Sequence, residues 1–487
     1  MLEFQEGFFE PEIRDGFYVE ALMKRFWAAE LEVLQRIAEV CHRHQIRWYA
    51  AYGTLLGAIR HRGFVPWDDD MDIWVKRKDY NRLMQILPVE LPAGYLVRSP
   101  LTAAGYDRFQ TFVVNSDHIR TDEEWLEQYH GCPFMAGVDI FPLDRLPRSE
   151  EDRLVQRTWA SIALRGAQVA GYMQAGTWQY AENPMEQREA YVEEIREGAA
   201  YLAENCGAKI EERLISEEKW TELSNLFARW ANYIAMMYEE EEGGDLVNFA
   251  DYVRWPSKKY PEEWFEETGS AVFENFQIPV PGEYHKVLRR HYKKYKVKKR
   301  NSMQHDYPLY ARQIEEMWAE AGEEGIAPLS WKELLTDQRG TKKKVFLYMN
   351  DLSVFLADGQ EALDRLESEL QIFYEARERT LLWWRPQREM VSALRLVCPA
   401  FSERYRAILE RYRASGWGVC DESHDRQRGL EICDAYYGEK NFQARKMQDR
   451  GKAVVIAAES TIADLEALVG SGPEAETEFH RTGEESL

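Results

Sequence analysis

Asp68, Asp69, Asp70 and Asp72 form the densest acidic site of the sequence, and Asp70 and Asp72 flank Met71 at a spacing of two. On an extended segment, residues two apart project to the same side, so this pair would stand side by side. Adjacent carboxylates repel unless a cation lies between them, and hard oxygen ligands of this kind favour Mg2+ or Mn2+. Such an ion bridges protein carboxylates to phosphates and neutralises the charge that develops on a leaving group in phosphoryl transfer. Asp139, in GVDIF, is a third acid set among apolar neighbours; buried there it needs a partner, which a metal or an acceptor hydroxyl would supply. Gly53 and Thr54 stand upstream, where a strand turns into a helix. Glycine permits close backbone approach, and the free N–H groups of a helix start favour an anion such as phosphate. Arg60, His61 and Arg62 end that short helix and add cations for phosphate oxygens. Each feature alone has a plainer reading: an Asp run as a solvated turn, a strand Asp satisfied by backbone, an Arg pair on the surface. Their order, Gly-Thr, then the spaced acidic pair, then the lone strand acid, favours a metal-dependent site.

The elements that must position these residues follow from local patterning. Val19, Leu22, Met23, Phe26, Trp27, Val33, Leu34, Ile37 and Cys41 recur mostly at three- and four-residue steps, which predicts an opening helix. RWYAAY predicts a strand, TLLGAIRH a helix, and RGFVPWDDDMDIWV a turn feeding a strand that carries the acidic pair. Further strands are expected at 109–115 and 137–141, the latter stopped by Pro142. Residues 149–244, rich in Glu, Arg, Ala and Trp, read as a helical insertion, and FENFQIPVPGEYHKVLRRHYKKYKVKKR as a strand followed by a helix. The basic run 293–300 that closes it reads as a solvated face or as a contact for an anionic acceptor or lipid headgroups. The first domain is expected to span 1–310. From 311 to 469, KKVFLYMN, TLLWW, GWGVC, DAYYG and KAVVIAA alternate with helices, which predicts a parallel sheet with crossovers. Trp383, Trp384, Tyr436 and Tyr437 read as core aromatics, and the acidic tail 470–487 as disordered. The fold class is α/β.

Composition narrows the function. The 62 Lys and Arg against 84 Asp and Glu leave a net charge of −22, which repels polyphosphate backbones and argues against nucleic acid as a partner. No run approaches the roughly 18 apolar residues of a membrane span, and the N-terminus lacks a basic flank followed by an apolar segment, so a cytoplasmic location is expected, with at most a peripheral contact at the inner face of the membrane. The six cysteines show no CxxC pair, so neither disulfide nor structural zinc is expected.

The segment AAYGTLLGAIRHRGFVPWDDDMDIWV resembles the signature of the LicD family, which includes bacterial phosphocholine transferases and is related to fukutin-type polyol-phosphate transferases. The likeness continues in GVDIFPLDRLP and in FENFQIPVPGEYHKVLRRHYKKY, closing near His305, and covers most of 20–310. It implies a nucleotidyltransferase-like mixed sheet core whose Gly-Thr turn, acidic pair and third acid are Gly53, Thr54, Asp70, Asp72 and Asp139. The implied reaction moves phosphocholine or a polyol phosphate from a CDP-activated alcohol donor to a hydroxyl of a lipopolysaccharide, teichoic-acid precursor or other lipid-linked glycan acceptor, releasing CMP. Asp70 and Asp72 would be metal ligands, and Asp139 would complete the metal site or accept the acceptor's proton. The implied donor-binding set is Gly53, Thr54, Arg60, Arg62, Trp67, Asp68, Asp69 and His305, the last at a family position without an assigned role. KKYKVKKR departs from the usual Tyr-Gly ending of its helix, and the insertion is long. The C-terminal pieces resemble the nucleotide-binding, Rossmann-like half of a CDP-glycerol glycerophosphotransferase-like fold. There Arg385, Pro386, Gln387 and Arg388 lack the histidine of an RPHP-like motif, and Glu439, Lys440 and Asn441 replace small hydroxyl residues, so this lobe reads as degenerate. Two other functions stay open: a nucleotidylyltransferase moving NMP from an NTP, and a non-catalytic scaffold for glycan synthesis.

Overall fold

The structure is a computed structural model that describes residues 1–103, 105–180, 183–241, 244–299, 307–320, 325–326, 334–337, 340–423 and 425–470. The chain divides into two compact units, Met1–Phe9 with Leu22–Lys299, and Glu10–Ala21 with Arg300–Leu487. His305, Arg300 and residues 471–487 of the tail lie outside the described residues. Among the described residues, no helix is long and apolar enough to cross a membrane.

The first unit is built on a mixed sheet. Helix α1 (Ala21–Arg43) buries Met23, Phe26, Trp27, Leu34, Ile37 and Cys41, and ends with the basic residues His42 and Arg43, at the end where exposed carbonyls favour positive charge. There follow β1 (Trp48–Ala50), α2 (Tyr52–Arg60), β2 (Asp72–Lys76), α3 (Arg77–Glu90), β3 (Leu96–Arg98), β4 (Thr111–Val114) and β5 (Gly137–Arg145). The strands lie in the order β1-β2-β5-β4-β3; β6 (Asp245–Val247) pairs with the end of β5, and β7 (Tyr260–Pro261) with β6. Only β2 and β5 run parallel, and they form the centre of the sheet. The expected stop at Pro142 does not occur, and β5 continues to Arg145. Pairing with β4 ends at Ile140 and pairing with β6 begins at Asp144, so Pro142 occupies a gap in the ladder where its missing N–H costs nothing.

The helical insertion comprises α4 (Glu150–Ala175), α5 (Pro184–Cys206) and α6 (Trp220–Ala235) with short connecting turns. Its own core packs Ala163, Ala167, Ala170, Phe227, Ala231 and Ile234. A buried polar joint ties it to the sheet: Arg77 donates to Asp144 Oδ1 at 2.5 Å and Oδ2 at 3.1 Å, and to Asn232 Oδ1 on α6 at 3.3 Å. Both members of the ion pair are fully buried, a placement that requires this saturated geometry. After the hairpin β8 (Thr268–Phe273) and β9 (Phe276–Pro281), helix α7 (Tyr284–Tyr292) leads into the basic run, whose residues 293–299 are exposed except for Tyr295.

The second unit carries β10 (Lys344–Met349), β11 (Thr380–Trp384), β12 (Val419–Cys420), β13 (Ala435–Gly438) and β14 (Ala453–Ile456). All pair in parallel, in the order β12-β11-β10-β13-β14, with helices in the connections. Trp383, Trp384, Tyr436 and Tyr437 are wholly buried, as expected of strands covered on both faces.

Candidate active site

The turn from β1 into α2 is fastened to the first residue of β2. Ala51 N–H donates to the Asp72 carbonyl at 3.0 Å, and Asp72 N–H donates to Thr54 Oγ1 at 2.8 Å. Tyr52, between them, has φ 38°, an uncommon left-handed value for a large residue. Its ring is held edge-on by Trp74, Phe141 and His291 at 5.0–5.1 Å, contacts that keep the strained start of α2 in place. Across the parallel pair, Asp72 lies directly opposite Asp139, whose N–H donates to the Met71 carbonyl at 2.9 Å. The two carboxylates therefore leave neighbouring strands at the same level and on the same face. The acidic pair expected on one strand is divided: Asp72 opens β2, and Asp70 belongs to the irregular segment before it.

That segment gathers acid. Asp68, Asp69 and Asp70 each offer an oxygen within 4.8 Å of the others, with Asp69 buried and its neighbours half-buried. Burial, then the neighbouring Asp70, push the Asp68 carboxyl well above the usual range; burial, then Asp70 and Asp139, do the same to Asp72. Gly53 has a different use from the one expected. A β-carbon there would stand 2.0 Å from Asp68 Oδ2, so the space that glycine leaves is filled by the Asp68 carboxylate rather than by a phosphate. Thr54 is buried and engaged by Asp72, which makes it a positioning residue for the acid.

Arg60 donates to the carbonyls of Tyr295 and Val297 at 3.2 and 3.3 Å and lies close enough to oppose the upward shift of Asp68. Arg62 is exposed in the turn after α2, and Trp67 is half-buried with its ring edge-on to His61 at 6.3 Å. Three contributors escape sequence reasoning. Trp27 Nε1 donates to the Asp68 carbonyl at 3.1 Å and so anchors the acidic segment to α1. Glu30, one turn further on, is fully buried, and its carboxyl is pushed up first by burial and then by Asp70. Tyr292, ending α7, has its hydroxyl pushed up by burial and then by Asp68, Asp72 and Asp70. The only available signal for Glu30 was an acid on an otherwise apolar helix face. The donor set is all oxygen and strongly anionic, which fits a hard divalent cation.

The profile of the LicD/FKTN/FKRP nucleotidyltransferase domain matches residues 45–152, so the resemblance read from the signature holds for that stretch. The chain is 43% identical over 56 residues to a protein of Haemophilus influenzae named lipopolysaccharide cholinephosphotransferase LicD, covering 12% of this chain and 21% of that one. It is 39% identical over 66 residues to an uncharacterized protein of Rickettsia prowazekii, covering 14% and 25%. With an uncharacterized protein of Rickettsia typhi it shares 33% identity over 85 residues, covering 16% and 28%. The chain thus spans between a fifth and three tenths of the length of these relatives.

Proposed function

We propose, from the premise that residues 45–152 are a LicD-type nucleotidyltransferase domain, that this protein is a phosphotransferase. It moves phosphocholine or a polyol phosphate from a CDP-activated donor to a hydroxyl of a cell-surface glycan precursor, with release of CMP and with Mg2+ or Mn2+ held by Asp70, Asp72 and Asp139. The observation that carries this reading is the placement of Asp72 opposite Asp139 across β2 and β5, with Asp70 two residues before the strand.

When bound, the cation would neutralise charge on the donor phosphates. The chain's own residues do the positioning. Thr54 and the Ala51 N–H fix the Asp72 backbone, Trp27 fixes the Asp68 carbonyl, and Arg60 brings a cation to the same edge of the site. The Arg60 bonds to Tyr295 and Val297 also hold the start of the basic run beside the acids, where exposed Lys293, Lys294, Lys296, Lys298 and Lys299 would meet an anionic, lipid-linked acceptor.

The test incubates the purified full chain and Mn2+ with CDP-choline, CDP-glycerol and CDP-ribitol, scoring CMP. Choline comes first because of what the Haemophilus relative is named for. Asp72→Asn should lower CMP formation by about 10³-fold, which corresponds to about 4 kcal/mol of barrier. A near wild-type rate in that variant overturns the site, and pyrophosphate release in a parallel incubation with NTPs, with no CMP from any CDP-alcohol, would mean nucleotidylyl transfer instead.

A further inference from the structure

The chain carries a net charge of −22, yet one stretch of the first unit is the reverse: Tyr284–Lys299 holds six lysines, two arginines and no Asp or Glu. All eight of these side chains are exposed. Glu283, which precedes α7, pairs with Lys286 at 3.1 Å, at the end of the helix away from the lysine run. In so acidic a chain, a polyanionic surface is attracted only where a local excess of this kind overrides the whole.

A second loop joins the last turn of α7. Arg290 donates to the Ser257 and Lys259 carbonyls at 3.3 and 2.7 Å, and the Tyr260 hydroxyl lies 3.4 Å from His291 Nδ1. The loop presents Trp255, 40% exposed, with Lys258 Nζ 3.9 Å from the centre of its ring and the Arg254 guanidinium at 5.2 Å. Asp251 and Asp245 partner Lys258 and Lys259 at 3.4 and 3.6 Å, so the excess of positive charge lies in the lysine run and the loop contributes the indole. Val297, 61% exposed, sets a second apolar side chain among the lysines. Apolar groups interleaved with cations match the headgroup level of a bilayer, where Trp is enriched and Lys and Arg meet lipid phosphates.

We propose that the last turn of α7, the run 293–299 and the Trp255 loop form a docking face for a bilayer rich in anionic phospholipid. The lysines meet headgroup phosphates, and Trp255 and Val297 sit among the headgroups. Arg60, at the edge of the acidic pocket, donates to the Tyr295 and Val297 carbonyls, so the face continues to the candidate active site. Delivery of a lipid-linked acceptor to that site rests on the phosphotransferase reading above, whereas docking itself does not.

The purified full chain, in EDTA so that no divalent ion bridges carboxylate to lipid, is sedimented with vesicles of phosphatidylcholine alone or mixed with phosphatidylglycerol. Binding is expected to the mixed vesicles only, weakening at least about tenfold as NaCl rises from about 0.05 M to about 0.5 M. The triple variant Lys294→Glu, Lys296→Glu, Lys299→Glu should bind at least about 10²-fold more weakly. Trp255→Ala should bind about fivefold more weakly with the salt dependence kept. Circular dichroism checks the fold of each variant, and the wild-type comparison of the two vesicles stands without them. Equal binding to neutral vesicles, no binding to mixed vesicles at low salt, or an unweakened triple variant overturns the docking face; an unweakened Trp255→Ala removes the indole from it. Release by excess soluble glycerol phosphate also overturns it, since the ligand would then be a single anion. The assay contains no CDP-alcohol, so its failure leaves the phosphotransferase reading standing, and absence of CMP formation leaves docking standing.

Discussion

Replacing Gly53 by alanine should separate activity from stability. Gly53 is the second residue of α2, and its φ is not left-handed, so alanine suits the backbone and by helix propensity would add up to about 1 kcal/mol of stability. The new β-carbon, however, would stand 2.0 Å from Asp68 Oδ2 and 3.1 Å from its Cγ, where contacts below 3.0 Å are essentially never seen. The Asp68 carboxylate must therefore withdraw by about 1 Å. Asp68 shares a side-chain hydrogen bond with Asp70, so the displacement reaches a proposed metal ligand. A misplacement of about 1 Å can cost about 10²-fold in rate, or about 2.7 kcal/mol of barrier. Urea unfolding should find Gly53→Ala at least as stable as the wild type, while CMP formation at saturating Mn2+ falls about a hundredfold. Serine and valine should fail alike, because the clash lies at the β-carbon they share. A rate within about threefold of wild type would refute the assignment of Gly53 as the residue that makes room for Asp68.

Lys293 follows α7 with φ 53° and ψ −88°, a conformation that favours glycine, so Lys293→Gly should stabilise by about 1 kcal/mol and raise Tm by about 2–4 °C in a thermal melt. Glu262 is held down to about 2, first by its bond to Arg145 and further by Lys76. Its folded value lies below its ordinary 4.5, so its contribution is present above about pH 4.5 and lost as pH falls toward 2; urea unfolding across that window should show a shallower acid loss in Glu262→Gln than in the wild type. Asn441 accepts from Ala444 N–H at 2.9 Å as the cap of Phe442–Asp449 and donates to the Tyr436 hydroxyl at 2.8 Å, so Asn441→Ala should destabilise by about 1 kcal/mol in chemical denaturation while leaving CDP-alcohol binding by calorimetry unchanged.

What the sequence made legible was short in range. Gly-Thr, the spaced acids and the lone acid in GVDIF lie within or beside elements whose pattern of alternation or helical spacing is strong, and the mixed sheet brings Asp72 and Asp139 together as the motif implies. Alternating strands and helices likewise predicted a parallel sheet in 311–469, but strand order is set by crossovers that no local pattern encodes. Trp27, Glu30 and Tyr292 escaped because they reach the acids from helices far away in sequence, where the relevant signal is tertiary. Glu30 and Glu32 look equivalent as letters in ELEVL; only the fold assigns one to His130 and the other to the aspartates. The roles of Gly53 and Thr54 changed for a related reason: residues suited to hold a phosphate are equally suited to hold a carboxylate and a strand N–H.

The second unit has the topology of a ligand-binding sheet, and both helix starts at its switch point already carry side-chain caps. In a parallel sheet of this order the natural crevice opens beyond the carboxyl ends of β10 and β13, where the connections diverge to opposite sides. There, Gly438 has φ 149° and comes so close to β10 that a β-carbon would stand 2.2 Å from the Met349 carbonyl. The helix start after β13 is capped by Asn441, and the one after β10 by Asp351, which accepts from Ser353 N–H at 2.7 Å. Glu439 adds a carboxylate, on a loop pinned by the Tyr436 hydroxyl donating to its carbonyl at 2.6 Å. A phosphate at either helix start would have to displace the Asn441 or the Asp351 side-chain cap. The first unit presents the opposite situation, an excess of carboxylate that invites cations and, through them, phosphate. On the proposed reading, donor chemistry is assigned to Asp70, Asp72 and Asp139, and the segments 385–388 and 439–441, which lack the histidine and the small hydroxyl residues of the fold they resemble, are assigned no nucleotide.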